Sequence, residues 1–387
     1  MHNDIEDILT RGVANIVPDK KHLAKLLTSK KITIYAGFDA TAPRLHLGHT
    51  VPFRKLQRFA KLGHKVIFLI GDFTTLVGDN SDKETERPIL TSEEIKNNWK
   101  DFKKQASKIL DFSLIEVKKN SDWLSKLTFS DVVKITQQFS VGDFIGRELV
   151  RKRLYSGGRV GLHEMLYPIM QGYDHYYLDA DLQIGATEQT FNLQAGRTLQ
   201  KYYRAKESYF MTLDILEGTD GKKMSKSVGN CIWLMDDPSD MYGKVMNISD
   251  SLIESYFILA TDTPTEVVKT IIGDLKSGKV HPMETKKLLA HTIVTELHDT
   301  TKANQAQEAF KKTFQDKKPD FTKNVKNEGT LAKTIAPFTS LASVSESKRQ
   351  ITQGAVSVNE QVIRDPHYKT SSGQNIKLGK KIFLKVV

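Results

Sequence analysis

Among 387 residues there is a single cysteine, Cys231. No intrachain disulfide can form, and a reducing cytoplasm fits. Long hydrophobic runs are missing as well. The longest, Val66–Ile70, is far short of the ~20 residues that span a bilayer, so no membrane association is expected. Met1-His2-Asn3-Asp4 is not a basic start leading into an apolar core, and no signal peptide is expected. The chain has no internal repeat. Carboxylates are outnumbered, with 46 Asp and Glu against 57 Lys and Arg, for a formal net charge of +11. Such an excess favours a polyanionic partner, because each cation set against a phosphate releases counterions. A lysine-rich genome would produce the same excess. What remains, 39% apolar and 27% charged residues, is the composition of a soluble globular protein. The length suggests two or three domains.

Residues 4–30 alternate apolar and charged positions at helical spacing. Ile32–Tyr35 reads as a strand, Gly37-Phe38-Asp39 as a turn, His46 to Leu62 as a helix and Lys65–Gly71 as a buried strand. Strand, turn, helix and strand in this order make a βαβ unit and predict a parallel sheet. Helices are expected over 92–110, 129–155, Pro168–Ala180 and Thr187–Lys201, with strands within 112–125 and at Leu182–Gly185. Residues 1–216 are therefore expected to form a doubly wound, Rossmann-like α/β domain. Residues 217–230 are a Gly/Lys/Ser loop, 231–315 a helical domain and 316–329 a Lys/Asn-rich linker. Residues 330–387 are expected to be a small α+β module. There Asn359-Glu360 sits between Ala355–Val358 and Gln361–Ile363 as a hairpin signal, and Lys380–Val387 reads as a last strand.

Three patterns carry chemistry. In His46-Leu47-Gly48-His49 two imidazoles at i and i+3 project from one side of a helix start, where backbone N–H groups already attract phosphate. Gly48 leaves room for a flat base against the backbone. In Lys223-Met224-Ser225-Lys226-Ser227 two ammonium groups sit on a loop bounded by Gly218, Gly221 and Gly229, able to close over a triphosphate. Tyr167, Gln171 and Asp174 stand at i, i+4 and i+7 and share one helix face. An amide and a carboxylate facing an α/β core are costly unless something binds there. Asp174 is suited to accept a hydrogen bond from whatever binds there.

Together the His-x-Gly-His turn and the Lys-Met-Ser-Lys-Ser loop resemble the signature pair of class I aminoacyl-tRNA synthetases. Tyr35-Ala36-Gly37-Phe38-Asp39-Ala40-Thr41-Ala42 and the Tyr-x-x-x-Gln-x-x-Asp spacing resemble the tyrosyl family in particular. The resemblance implies activation of L-tyrosine with ATP and Mg²⁺, transfer of tyrosine to tRNA(Tyr), and a homodimer with its interface near 112–160. It implies a tyrosine site of Tyr35, Thr74, Asp79, Tyr167, Gln171 and Asp174. It puts ATP and the adenylate against Gly37, Asp39, Thr41, Gly48, Gly185, Glu188, Gln189, Met224, Ser225 and Lys226. The catalytic charges would be His46, His49, Lys83, Arg87, Lys223 and Lys226. No dedicated metal site is expected. One segment departs from the family: where it has Gly-Gly-x-Asp-Gln, this chain has Gly185-Ala186-Thr187-Glu188-Gln189, which puts the contact to the ribose in doubt. The tail resembles an S4 RNA-binding domain, with Lys348 and Arg349 on its basic helix.

Rival readings are a tryptophanyl-tRNA synthetase, a small-molecule nucleotidyltransferase and a non-catalytic RNA-binding protein. Asp174 and the S4-like tail oppose the first, the tail and the Lys-Met-Ser-Lys-Ser loop the second, and retention of both histidines and both loop lysines the third.

Overall fold

The computed structural model describes residues 2–79, 90–225, 228–315, 321, 323–339, 342–379 and 382–387. They form two compact units, 1–304 and 305–387. No helix among the described residues is long and apolar enough to cross a membrane.

The first unit is built on a six-stranded sheet of β1 (Val13–Val17), β2 (Thr33–Asp39), β3 (Lys65–Gly71), β4 (Ile115–Lys119), β5 (Leu182–Ala186) and β6 (Tyr209–Leu213). Their order is β1-β6-β5-β2-β3-β4. All neighbours are parallel except β1, which runs antiparallel to β6 at the edge. The central strands read as continuous apolar runs because helices cover both faces. Ile34, Ile67, Phe68, Leu69 and Ile184 are all buried.

Four local expectations are corrected. Gly37-Phe38-Asp39 is not a turn, because β2 runs on through Asp39, paired with Gly71 of β3. Residues 4–30 are not uniformly helical. Helices His2–Thr10 and Lys20–Ser29 flank β1. Gly12, at φ +61°, ends the first helix against Leu259, and the segment Val-Ala-Asn-Ile-Val then extends. The helix expected from Pro168 runs instead from Leu162 to Tyr177. Its start is fixed by Glu164, which accepts from Gly161 N–H at 2.8 Å while held by Arg153 at 2.7 and 3.0 Å. The proline is carried inside. The helix expected from His46 begins as a 3₁₀ turn, Leu47–His49, and becomes α-helical over Thr50–Lys61.

The helices Pro238–Met246, Ile253–Ala260, Thr265–Lys276 and Pro282–Leu297 belong to the same unit as the sheet. Buried cations join them to it. Arg11 donates to the carbonyls of Phe257, Ile258 and Thr261, each at 2.8 Å. Arg54 donates to Ala260 O at 2.8 Å and pairs with Asp262 and Glu296 at 2.8 and 2.7 Å.

The second unit has a five-stranded sheet, β7 (Lys323–Val325), β8 (Val356–Val358), β9 (Gln361–Val362), β10 (Asn375–Leu378) and β11 (Ile382–Val386), in the order β7-β11-β10-β8-β9. Leu331, Ile335, Ile351, Ile376 and Leu384 fill its core. Asn359 and Glu360 turn the β8–β9 hairpin at φ +46° and +69°, the left-handed pair a tight hairpin requires. Part of the expected linker is β7, parallel to β11. Its Val325 is buried in this core, and the surrounding lysines and asparagines conceal it in the sequence.

Candidate active site

In a doubly wound sheet ligands bind at the carboxyl ends of strands, where the winding reverses. Here β2 is that strand, with β3 on one side and β5 on the other. A cavity of about 540 Å³ opens there. Gly37, Asp39 and Thr41 enter it from the end of β2, and Gly185, Glu188 and Gln189 from the end of β5. His46, Gly48 and His49 form one wall, Asp79 and Tyr167 another, and Lys223, Met224 and Ser225 reach in from the loop. Residues far apart in the chain thus share one space.

The histidine turn is tightly built. His49 Nδ1 faces both the His46 N–H at 3.1 Å and the His46 carbonyl at 3.2 Å. The imidazole centroids lie 4.0 Å apart. Burial, then the neighbouring ring and Lys223, pushes His46 down to about 2. Burial also brings His49 down to about 4. Both are neutral N–H donors at neutral pH. His46 Nδ1 is buried without a hydrogen-bond partner among the described residues. Gly48 lets this packing stay close, because a Cβ would lie 3.0 Å from His46 Nδ1. Leu47 N–H donates to Ile232 O at 2.7 Å, tying the turn to the chain beyond the loop.

The loop has a fixed first half. Asn230, nearly buried, donates through Nδ2 to Asp220 at 2.7 Å, Lys223 O at 3.1 Å and Lys222 O at 3.3 Å. It accepts from Ser225 N–H at 2.9 Å. Gly218 is packed against the same side chain, and a Cβ there would sit 2.5 Å from Asn230 Nδ2. Lys223 Nζ pairs with Glu188 Oε1 at 2.6 Å.

Tyr35, Thr74, Gln171 and Asp174 do not line the cavity; they belong to a buried polar network that reaches it through Asp39. Asp174 is 2% exposed. Its Oδ1 accepts from Trp123 Nε1 at 2.7 Å and its Oδ2 from Asn120 Nδ2 at 3.1 Å. Burial, opposed by these two bonds, pushes its carboxyl up to about 8. Asn120 Nδ2 also donates to Thr74 Oγ1 at 3.0 Å, Thr74 to Asp39 at 2.8 Å, and Tyr167 to Asp39 at 3.0 Å. The Tyr35 hydroxyl and Gln171 Oε1 are buried with no partner among the described residues. Burial, then Asp174, raises the Tyr35 phenol well above its usual value. Asp79 accepts from Gln189 at 3.1 Å and Asn192 at 3.3 Å. Buried polar atoms without partners are rare in folded chains, so the Tyr35 hydroxyl and Gln171 Oε1 call for a polar partner.

Lys83, Arg87 and Lys226 lie outside the described residues. Lys348 and Arg349 stand on the exposed face of helix Val344–Thr352 in the second unit, where Arg349 pairs with Glu346 at 2.7 Å. Sequence reasoning missed Asn120, Trp123 and Asn230. Asn120 was within reach, since it directly follows β4 at the carboxyl edge of the sheet.

Comparison with known proteins agrees in both units. Residues 27–315 match the family of class I tRNA synthetases (W and Y), and residues 339–376 match the S4 domain. The tyrosine–tRNA ligase of Carboxydothermus hydrogenoformans is 40% identical over 98% of this chain and 97% of its own. That of Haemophilus ducreyi is 40% identical over 100% and 99%. Among solved structures, a C-terminally truncated mitochondrial tyrosyl-tRNA synthetase from Coccidioides posadasii superposes with a TM-score of 0.65 at 25% identity, covering 79% of this chain and 91% of that one. With two-fifths of its residues shared along full-length relatives, the chain belongs to the tyrosine–tRNA ligase family of class I tRNA synthetases.

Proposed function

We propose that the protein activates L-tyrosine with ATP to tyrosyl-adenylate and pyrophosphate, and then transfers tyrosine to the 3′ end of tRNA(Tyr). The observation that carries this reading is the buried polar network behind Asp39. The Asp174 carboxyl is joined through Asn120 and Thr74 to Asp39 in the cavity wall, and the Tyr35 hydroxyl is buried with no partner among the described residues. An acceptor and a donor set this deep suit the hydroxyl end of tyrosine. Tyr167, Gln171 and Asp79 hold the α-ammonium, and Thr74 keeps the network in register through Asp39 and Asn120.

The nucleotide lies above. Its base rests against Gly48, its sugar against Gly185, Glu188 and Gln189, and its phosphates near Gly37, Asp39, Thr41, Met224 and Ser225. The tyrosine carboxylate attacks the α-phosphorus, and charge builds on the phosphates as pyrophosphate leaves. Preorganised N–H donors and cations stabilise that charge without reorganising. His46, His49 and Lys223 are the described residues in this role, and Lys83, Arg87 and Lys226 complete it. Magnesium arrives with ATP as part of the substrate. Among the described residues no group of three or more His, Cys, Asp or Glu forms a cage for it.

The second unit binds the tRNA through the face carrying Lys348 and Arg349. A second copy of the chain packs on the segment that exposes Phe129, Val141, Tyr155 and Leu162, since apolar side chains so placed mark an interaction surface. We place this activity in the cytoplasm. ATP–pyrophosphate exchange with each of the twenty amino acids tests the reading. Tyrosine alone should drive exchange, and exchange driven by tryptophan, or by none, would refute it.

A further inference from the structure

Glu188 stands where this chain departs from the Gly-Gly-x-Asp-Gln pattern of the resemblance, with a side chain one methylene longer than aspartate. Its Oε1 reaches Lys223 Nζ at 2.6 Å. Its Oε2 is buried with no hydrogen-bond partner among the described residues. Lys223 has little freedom in its backbone, which bridges to Glu217 and whose carbonyl accepts from the Asn230 clamp at 3.1 Å. The side chain of Lys223 remains half exposed and that of Glu188 is 22% exposed. The pair therefore lies at the mouth of the cavity, within reach of anything that enters.

We propose that Glu188 is a positioning residue that stores the Lys223 ammonium in the nucleotide-free enzyme and exchanges it for sugar hydroxyls when ATP binds. The lysine passes from carboxylate to phosphate. The carboxylate, left without its cation, is satisfied by the two hydroxyl donors of the ribose, one of them at Oε2. Neither charge is left unpaired in a partly dry site, which would be costly. A phosphate chain without a sugar offers only half of the exchange. It must take the lysine and leave Glu188 uncompensated. The inference rests on the nucleotide site proposed above.

The test measures the binding of inorganic tripolyphosphate to the full-length enzyme by calorimetry. Glu188→Gln keeps the size of the side chain and removes the competing charge. It should tighten tripolyphosphate binding about fivefold, the size of a partly exposed ion pair. In a Lys223→Met background the same substitution should change binding by less than about twofold, because the stored cation is gone. Glu188→Asp keeps the charge but shortens the reach, and should also tighten binding. Both Glu188 variants should bind adenosine no better than the parent, since the sugar contact is not improved. Equal gains with Lys223 in place and in the Lys223→Met background, or no gain in either, would overturn the exchange. Absence of tyrosine-dependent pyrophosphate exchange in the parent would strike the proposed function instead.

Discussion

Asp174→Asn removes an ionisable group and keeps a shape, and its effects on stability and on activity should part company. Both carboxylate oxygens face donors, Trp123 Nε1 at 2.7 Å and Asn120 Nδ2 at 3.1 Å. Asn120 cannot turn its amide round, because its Oδ1 accepts from Phe73 N–H at 2.9 Å. An asparagine at 174 would set its own NH₂ against one donor, at about 1–3 kcal/mol for a buried unmatched group. The parent carries a different burden. Burial moves the carboxyl from 3.8 up to about 8. Between those values the unfolded chain has released a proton that the folded chain keeps. Stability therefore falls as the pH rises through that window, and above about 8 the loss is complete. At ~1.4 kcal/mol per pH unit, the loss is on the order of 5 kcal/mol. Asparagine bears none of it. The variant should be less stable than the parent near pH 4, by about 1–3 kcal/mol, and more stable near pH 8. Urea unfolding followed by circular dichroism at the two pH values measures the crossing. Activation should suffer throughout, because the substrate hydroxyl loses a carboxyl oxygen as its partner. The preference for tyrosine over phenylalanine in pyrophosphate exchange should fall roughly 10- to 100-fold. Parallel stability profiles, together with an unchanged preference, would refute both the burial argument and the hydroxyl site.

Tyr35→Phe deletes a buried hydroxyl that has no partner among the described residues. Stability should hold or rise slightly, while the tyrosine preference drops about tenfold, as read by paired unfolding and exchange assays. Gly48→Ala places a Cβ 3.0 Å from His46 Nδ1. The ring must shift, and the single-turnover rate of adenylate formation should fall by about 10-fold or more with tyrosine affinity unchanged. Removing residues 316–387 should leave pyrophosphate exchange nearly intact and depress aminoacylation steeply, and filter binding should show a shallower dependence on salt. Full charging by the truncated protein would exclude the second unit from tRNA binding.

Local rules made part of this fold legible. Tyr167, Gln171 and Asp174 share a helix face because helical spacing demands it, and Asn359-Glu360 turns a hairpin because few residues tolerate that backbone. The His-x-Gly-His turn announces itself by position after a strand. Other features depend on partners distant in sequence. Nothing local says that Asn120 will bridge Asp174 to Thr74, or that Asn230 will gather the loop around one amide. β1 hides inside a helical pattern because its extension is decided by β6, a neighbour nearly two hundred residues on. β7 hides in a lysine-rich stretch because a single valine, Val325, is what the core takes from it. The resemblance to a family located the cavity, but the hydrogen bonds of the network behind it come from tertiary contacts.

The buried cations Arg11 and Arg54 bear on how the first unit comes apart. Each has its guanidinium spent on carbonyls and carboxylates of 257–262 and 296. Lys55, beside them, donates to Ile8 O inside the same interface. Peeling the helices of 238–297 away from the sheet would strip partners from both guanidinium groups at once, so a partly opened form with only that layer melted is disfavoured. Sheet and helices should unfold in a single cooperative transition, with amide exchange in Ile253–Ala260 as slow as in β3. A minimal fragment for engineering must therefore run to about residue 304 rather than stop after the loop.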